Sequence, residues 1–243
     1  MLESPLEELS PADTYLRGSV LEEREGFDAA RDAYASADAR LYSEDVRRAL
    51  DAVLSHVIDV VRSGDGLVVD VATGRGTLLA RLLDVTTRPL IATDVSPTII
   101  GHLQRRFGDD RLRYVVADAR SLPFEDASVP TLVSHVGLAN VPEADALLRE
   151  LRRVGRELVT THVFYPEDGA ANRTAAREQG IEVLLVRSSA IAAFDAAGWQ
   201  LEIESEHLVE AEPTPDSVLI PGLRIDGIPV AATSATWCVL HAH

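Results

Sequence analysis

The sequence predicts a doubly wound α/β fold, and three observations carry the prediction. An apolar run, Leu67-Val68-Val69-Asp70-Val71, breaks into the small-residue turn Ala72-Thr73-Gly74-Arg75-Gly76 and resumes at helical spacing through Leu78, Leu79 and Leu82. A second apolar run, Pro89 to Thr93, stops on Asp94. Beyond it, strand-like and helix-like patterns keep alternating, which implies a mainly parallel sheet covered on both faces.

Taken in order, residues 1–18 are polar and proline-containing, and the pattern from about Val20 to Val61 is helical. Ser43 is placed to cap a helix whose face carries Val46, Leu50, Val53, Leu54, Val57, Val60 and Val61. Ser63-Gly64-Asp65-Gly66 ends it. Residues 1–62 are accordingly expected to form an N-terminal helical lid, with 63–243 as the main domain. Strands are expected at 67–71, 89–94, 112–117, 130–135, 157–164, 199–208 and 235–242, and helices at 75–84, 96–107, 143–154 and 187–197. Gly198 closes the last of these helices. Between the final two strands no helix intervenes, only a proline- and glycine-rich stretch, so they should pair antiparallel at the sheet edge. Inside that 211–232 insertion, Asp226-Gly227 between two apolar segments reads as a small extra hairpin.

Composition excludes several chemistries. The chain has 243 residues, a formal net charge of −16, and 23 basic side chains that are all arginine. Without lysine there is no P-loop, no pyridoxal-phosphate Schiff base and no Tyr-x-x-x-Lys dehydrogenase pair. The acidic balance argues against a general nucleic-acid binder, whose affinity comes from neutralising phosphates. The single cysteine, Cys238, forbids an intrachain disulfide and reads as buried filler. No apolar run reaches the roughly 20 residues of a membrane span and no secretory leader is visible, so a cytoplasmic protein is expected. No metal site is expected; His241 and His243 would hold a metal only adventitiously.

The glycine turn narrows the ligand. A strand–turn–helix–strand unit with a carboxylate at the tip of the second strand is the layout that holds a nucleoside in an open α/β sheet. A dinucleotide fingerprint starting at Gly74 would need glycine where Leu79 stands, and one starting at Ala72 would need glycine where Ala72 and Thr77 stand. What remains is Asp70-x-Ala72-x-Gly74-x-Gly76. Asp94 ends strand two, where its carboxylate can accept both ribose hydroxyls, with Val95 beside it for an adenine face. A third strand, Leu112 to Ala117, ends on Asp118-Ala119, and Leu122-Pro123-Phe124-Glu125-Asp126-Ala127-Ser128 leads into the fourth, Thr131 to Leu138.

These motifs resemble the class I S-adenosylmethionine (SAM) methyltransferases over about residues 65–165, with Ala72 in place of the first glycine, as in methyltransferases of the quinone-biosynthesis type. The resemblance implies a Rossmann-like seven-stranded sheet of order 3-2-1-4-5-7-6 with strand seven antiparallel. It implies SAM as cofactor, with Asp70 facing the methionine amino group through water. Ala72, Thr73, Gly74 and Gly76 would form the cradle, and Asp94 and Val95 would hold the ribose and adenine. Asp118 would accept the adenine amino group, the Ala119 N–H would serve a ring nitrogen, and Ser134 and His135 would lie beneath the methionine. The family's Lys/Arg-Pro-Gly-Gly turn before strand five is missing; Arg153-Val154-Gly155-Arg156-Glu157 replaces it.

Candidates to touch an acceptor or act as general base are His135, His162, Tyr165 and Asn140, each near the end of strand four or five, although His135 fits a packing role equally well. Tyr34 and Tyr42 are lid candidates. The Asp/Asn-Pro-Pro-Tyr/Phe motif of DNA amino-methyltransferases is absent, since Ser134-His135-Val136-Gly137 stands there. A small-molecule acceptor is therefore expected, with no DNA or membrane partner and either a monomer or a homodimer. Alternatives left open are a non-catalytic SAM- or nucleoside-binding regulator, a protein or RNA methyltransferase, and an NAD-dependent oxidoreductase.

Overall fold

The computed structural model describes residues 43–211 and 230–243. Tyr34, Tyr42, most of the expected lid and the Asp226-Gly227 hairpin lie outside the described residues. The first element, α1 (Glu44–Ser63), starts where Ser43 Oγ accepts from the Val46 N–H at 3.2 Å. It lays Val53, Val57 and Val61 on the sheet. There follow β1 (Val68–Val71), α2 (Thr77–Val85), β2 (Leu90–Asp94), α3 (Pro97–Arg106), β3 (Leu112–Val116) and β4 (Val129–His135). A short 3-10 turn (Gly137–Asn140) leads to α4 (Ala144–Val154) and β5 (Gly155–Phe164). The chain continues through α5 (Ala170–Glu178), α6 (Glu182–Leu185), α7 (Arg187–Ala196), β6 (Leu201–Ala211) and β7 (Thr233–Ala242).

The seven strands form one sheet in the order β3-β2-β1-β4-β5-β7-β6. β1 to β5 pair parallel, and β7 runs antiparallel to both β5 and β6. This is the expected order, with strand seven antiparallel as expected. Two apolar layers sandwich the sheet, one under α1, α2 and α3 and the other under α4 and α7, and α6 gives Leu185 to the first and Leu184 to the second. β6 is the half-buried edge. Its glutamates, and a bulge between Glu204 and His207 with Ser205 at φ 48°, discourage further strand addition there.

Two local features show how the sequence closes this frame. The missing Pro-Gly-Gly turn is explained at Gly155, where α4 abuts β5 with no residue between. A Cβ at Gly155 would sit 2.3 Å from Leu132 Cδ1, so only glycine lets the helix enter the strand this abruptly. At the opposite edge of β1, the buried Arg88 guanidinium donates to the carbonyls of Val61, Asp65 and Gly66 and to Thr131 Oγ1, tying the end of α1 to the sheet. Helices α5 and α6 lie where no element was expected.

Candidate cofactor cleft

The carboxyl ends of β1, β2, β3 and β4 meet around a cleft of about 310 Å³, within the size range of small-molecule sites. One wall is the glycine turn, with Ala72 and Gly74 facing inward; Asp94 and Val95 follow from the end of β2. Ala117, Asp118, Ala119 and Arg120 come from beyond β3, and Gly137, Asn140, Val141 and Pro142 close the remaining side.

The turn is built on left-handed backbone. Gly74 and Gly76 have φ of 52° and 77°, and Ala72 adopts 53° despite its Cβ. That conformation is why glycine is the ordinary residue at this position of the motif. At Gly76, which caps α2, a Cβ would meet Leu103 Cδ2 at 2.8 Å. Thr73 Oγ1 donates to the Asp70 carbonyl at 2.9 Å, and the Thr73 N–H reaches the Thr93 carbonyl, so the turn is tied to β1 and β2.

Asp94 holds the turn from the other side. Its Oδ2 accepts from the Gly74 N–H at 3.0 Å and its Oδ1 from the Ser96 N–H at 2.9 Å. Each carboxylate oxygen keeps a further lone pair, and the residue lines the cleft. Asp118 is gripped by Arg120, with Nε to Oδ1 at 3.0 Å and Nη2 to Oδ2 at 2.7 Å, and Arg120 also reaches Glu143. That guanidinium holds the Asp118 carboxyl below its ordinary value, so it stays ionised and fixed in direction.

Beneath the turn lies Asp70, 2% exposed, with neither carboxylate oxygen hydrogen-bonded. Burial pushes its pKa up to about 8; the neighbouring Thr73 hydroxyl opposes the rise and the Asp94 carboxylate adds to it. A buried carboxylate without a partner costs several kcal/mol. It fits a site whose cation arrives with a ligand, and the methionine ammonium of SAM has the required charge.

A strained residue positions one wall from behind. Val136 has φ 60°, an outlier for a β-branched side chain, held by bonds from its N–H to the carbonyl and hydroxyl of Thr161. The turn it makes presses Gly137 against Ala72. A Cβ at Gly137 would lie 2.8 Å from the Ala72 carbonyl and 3.0 Å from Ser134 Oγ, which itself donates to the Val71 carbonyl at 2.7 Å. Gly137→Ala should therefore cost roughly 1–3 kcal/mol of stability through overpacking and weaken ligand binding by displacing the Ala72 turn. Thermal unfolding and calorimetry on the same variant would check both.

Among the expected acceptor-side residues, only Asn140 lines the cleft. His135 ends β4 with Nδ1 2.8 Å from Thr161 Oγ1; its enclosure, with the Arg75 charge, pushes its pKa down to about 4. A ring so weakly basic is neutral at pH 7 but poorly matched to proton abstraction. His162 is a correction. It is 1% exposed, its Nε2 lies 2.6 Å from the Leu184 carbonyl, and its ring meets Phe164 edge-on, so it packs against α6. Tyr165 is buried, its N–H bonded to the Leu185 carbonyl, and does not line the cleft. The alternation of β5 sends position 162 to the face that α6 covers, and α6 was the element the sequence did not announce. Arg120 and Gly137 were also missed. A glycine directly after a strand was the available signal for the second.

The sheet order, the left-handed turn and the carboxylates at successive strand ends are those of the class I methyltransferase fold. Residues 68–157 match the family model described as a methyltransferase domain. The chain is 38% identical over 97 residues to the demethylmenaquinone methyltransferase of Clavibacter sepedonicus, covering 38% of this chain and 39% of that one. It is 35% identical over 102 residues to the ubiquinone/menaquinone biosynthesis C-methyltransferase UbiE of Rhizobium leguminosarum bv. trifolii, covering 38% and 40%. The chain thus spans about two fifths of the length of these curated relatives. Among solved structures, the YcgJ protein of Bacillus subtilis superposes with a TM-score of 0.58 at 14% identity, covering 77% of this chain and 98% of that one. The geranyl diphosphate C-methyltransferase of Streptomyces coelicolor, solved with Mg2+, geranyl diphosphate and S-adenosyl-L-homocysteine, gives 0.57 at 16% identity, covering 81% and 80%. No helix among the described residues is long and apolar enough to cross a membrane.

Proposed function

We propose that this chain transfers a methyl group from SAM to a small-molecule acceptor. The observation that carries the reading is Asp70, a buried carboxylate with two unpartnered oxygens directly under the left-handed turn. SAM would supply, when bound, a methyl group made electrophilic by its sulfonium for in-line transfer to an O, N or C nucleophile, the carbon–sulfur bond breaking and S-adenosyl-L-homocysteine leaving as the neutral thioether.

The chain's own residues bind and orient. Asp70 neutralises the ammonium end, and Ala72, Thr73, Gly74 and Gly76 let backbone approach it closely. Asp94 takes the ribose hydroxyls with the lone pairs not used by Gly74 and Ser96. Val95 and Ala119 flank the adenine, and Asp118 receives its amino group. Ser134 fixes the floor by bonding Val71. Most of the acceleration comes from holding the reacting atoms in near-attack geometry. His135 serves by position, and Asn140 is the polar side chain at the cleft wall placed to hold an acceptor.

The small-molecule class rests on the acidic balance, on the absence of the DNA amino-methyltransferase motif, and on likeness to quinone-pathway C-methyltransferases over the cofactor half. Calorimetry with SAM, S-adenosyl-L-homocysteine and NAD tests the ligand, and SAM turnover with a panel of phenols, quinones, amines and acids tests the reaction. SAM binding with no turnover on any acceptor would favour a regulatory binder. NAD binding without response to SAM would sink the reading altogether.

A further inference from the structure

At the opposite end of the sheet from the cleft, the start of β5 and the end of β7 bring together side chains that cofactor binding does not use. We infer that Glu157, His241 and His243 form a binding site for one divalent transition-metal ion of the zinc type. Their ligand atoms all lie within 4.8 Å of one another. His241 Nε2 is already 3.0 Å from Glu157 Oε1, and the two imidazole rings are 4.3 Å apart between centroids. Ligand atoms around a tetrahedral zinc at bonds of about 2.0–2.1 Å stand ~3.3 Å apart, so His241 and Glu157 are at that span. A turn of the exposed His243 side chain supplies the third donor. Its main chain is fixed, because its N–H and carbonyl both pair with Gln200.

The surroundings have the form of a supporting shell. Thr131 Oγ1 donates to Glu157 Oε2 at 2.9 Å, leaving Oε1 for the ion. His241 Nδ1 lies 3.5 Å from Glu204 Oε1, so Glu204 is placed to take the Nδ1–H once Nε2 gives up its proton to Glu157's side and binds the ion. Glu204 Oε2 is in turn 2.6 Å from His56 Nε2 on α1. Two carboxylates, Glu157 and Glu204, face the imidazoles, and the nearby Arg88 guanidinium is spent on carbonyls and Thr131. Two nitrogens and one oxygen suit zinc or its neighbours, whereas calcium and magnesium ask for more oxygens. Such an ion would pin the last residues of β7 to β5.

The test uses the full, untagged chain stripped with chelator and titrated with Zn2+ and with Co2+. Expected are one equivalent bound, visible Co2+ absorption displaced by Zn2+, and a rise in the unfolding midpoint. His243→Ala, at an exposed position that cannot cost the fold, should weaken binding by roughly tenfold or more. Glu204→Gln should weaken it about 10–100-fold. SAM affinity should be unchanged in His243→Ala, so failure here is distinct from failure of the methyltransferase reading. No saturable binding, or binding equal in wild type and His243→Ala, would overturn the site and leave an ion-pair cluster only.

Discussion

Asp70→Asn is expected to make the free protein more stable at neutral pH and at the same time to weaken SAM binding strongly. The sign follows from burial. The folded chain holds the Asp70 proton up to about pH 8, whereas an unfolded aspartate releases it near its ordinary value of 3.8. Between those values the native state binds more protons, so stability is full below 3.8 and declines as pH rises towards 8. At pH 7 the accumulated cost is about 4 kcal/mol. Asparagine removes that titration but leaves a buried amide to satisfy, which takes back about 1–3 kcal/mol. A net gain of roughly 1–3 kcal/mol at pH 7 is expected, shrinking towards pH 5. Denaturant unfolding at pH 5, 7 and 8.5 would show it as a flatter profile in the variant. An ammonium ligand reverses the logic, because it stabilises the ionised carboxylate. SAM binding to the wild type at pH 7 should thus release close to one proton, visible as a dependence of the calorimetric heat on buffer ionisation enthalpy. The variant should lose at least about 100-fold in affinity, the scale of a buried charge pair left half-made. Equal affinity in wild type and variant would remove Asp70 from the site.

What made this residue legible beforehand was its place in a pattern. An apolar run, an acid and a small-residue turn can be read along the chain because backbone geometry dictates them locally. The same holds for Asp94 and Asp118 at strand ends and for the antiparallel β6–β7 edge, since no helix separates those strands. The unreadable parts depend on partners remote in sequence. His162 looked like a strand-end base until the helix over residues 182–185 covered its face. That segment is too short to show a period, and the helix before it carries a polar, alanine-rich run (Ala170–Glu178) with little apolar face. Arg120 stands two residues after Asp118, yet nothing in the sequence says that its guanidinium folds back onto that carboxylate. Val136 in the left-handed region could not be foreseen, because a β-branched residue argues against that conformation. The bonds from its N–H to the carbonyl and hydroxyl of Thr161 on β5 hold it there.

Asp94→Ala should cost both cofactor affinity and stability, and the two losses can be separated. The carboxylate accepts from Gly74 and Ser96 in the free protein. Removing it strands both N–H groups, which should lower stability by about 1–3 kcal/mol. If the same oxygens also take the ribose hydroxyls, two charge-assisted bonds vanish and affinity falls by roughly 2–4 kcal/mol, about 30- to 1,000-fold. A loosened glycine turn alone could mimic part of that loss, so the ligand must be varied along with the protein. Wild type should discriminate against a 2′-deoxyribose analogue of S-adenosyl-L-homocysteine, and the alanine variant should bind both forms with similar weakness. Asp94→Asn retains one carbonyl acceptor but presents an NH2 to the second N–H, and should fall between the two. Additive losses, with Asp94→Ala still rejecting the deoxy analogue as strongly as wild type does, would mean that the carboxylate only braces the turn and that the ribose is held elsewhere.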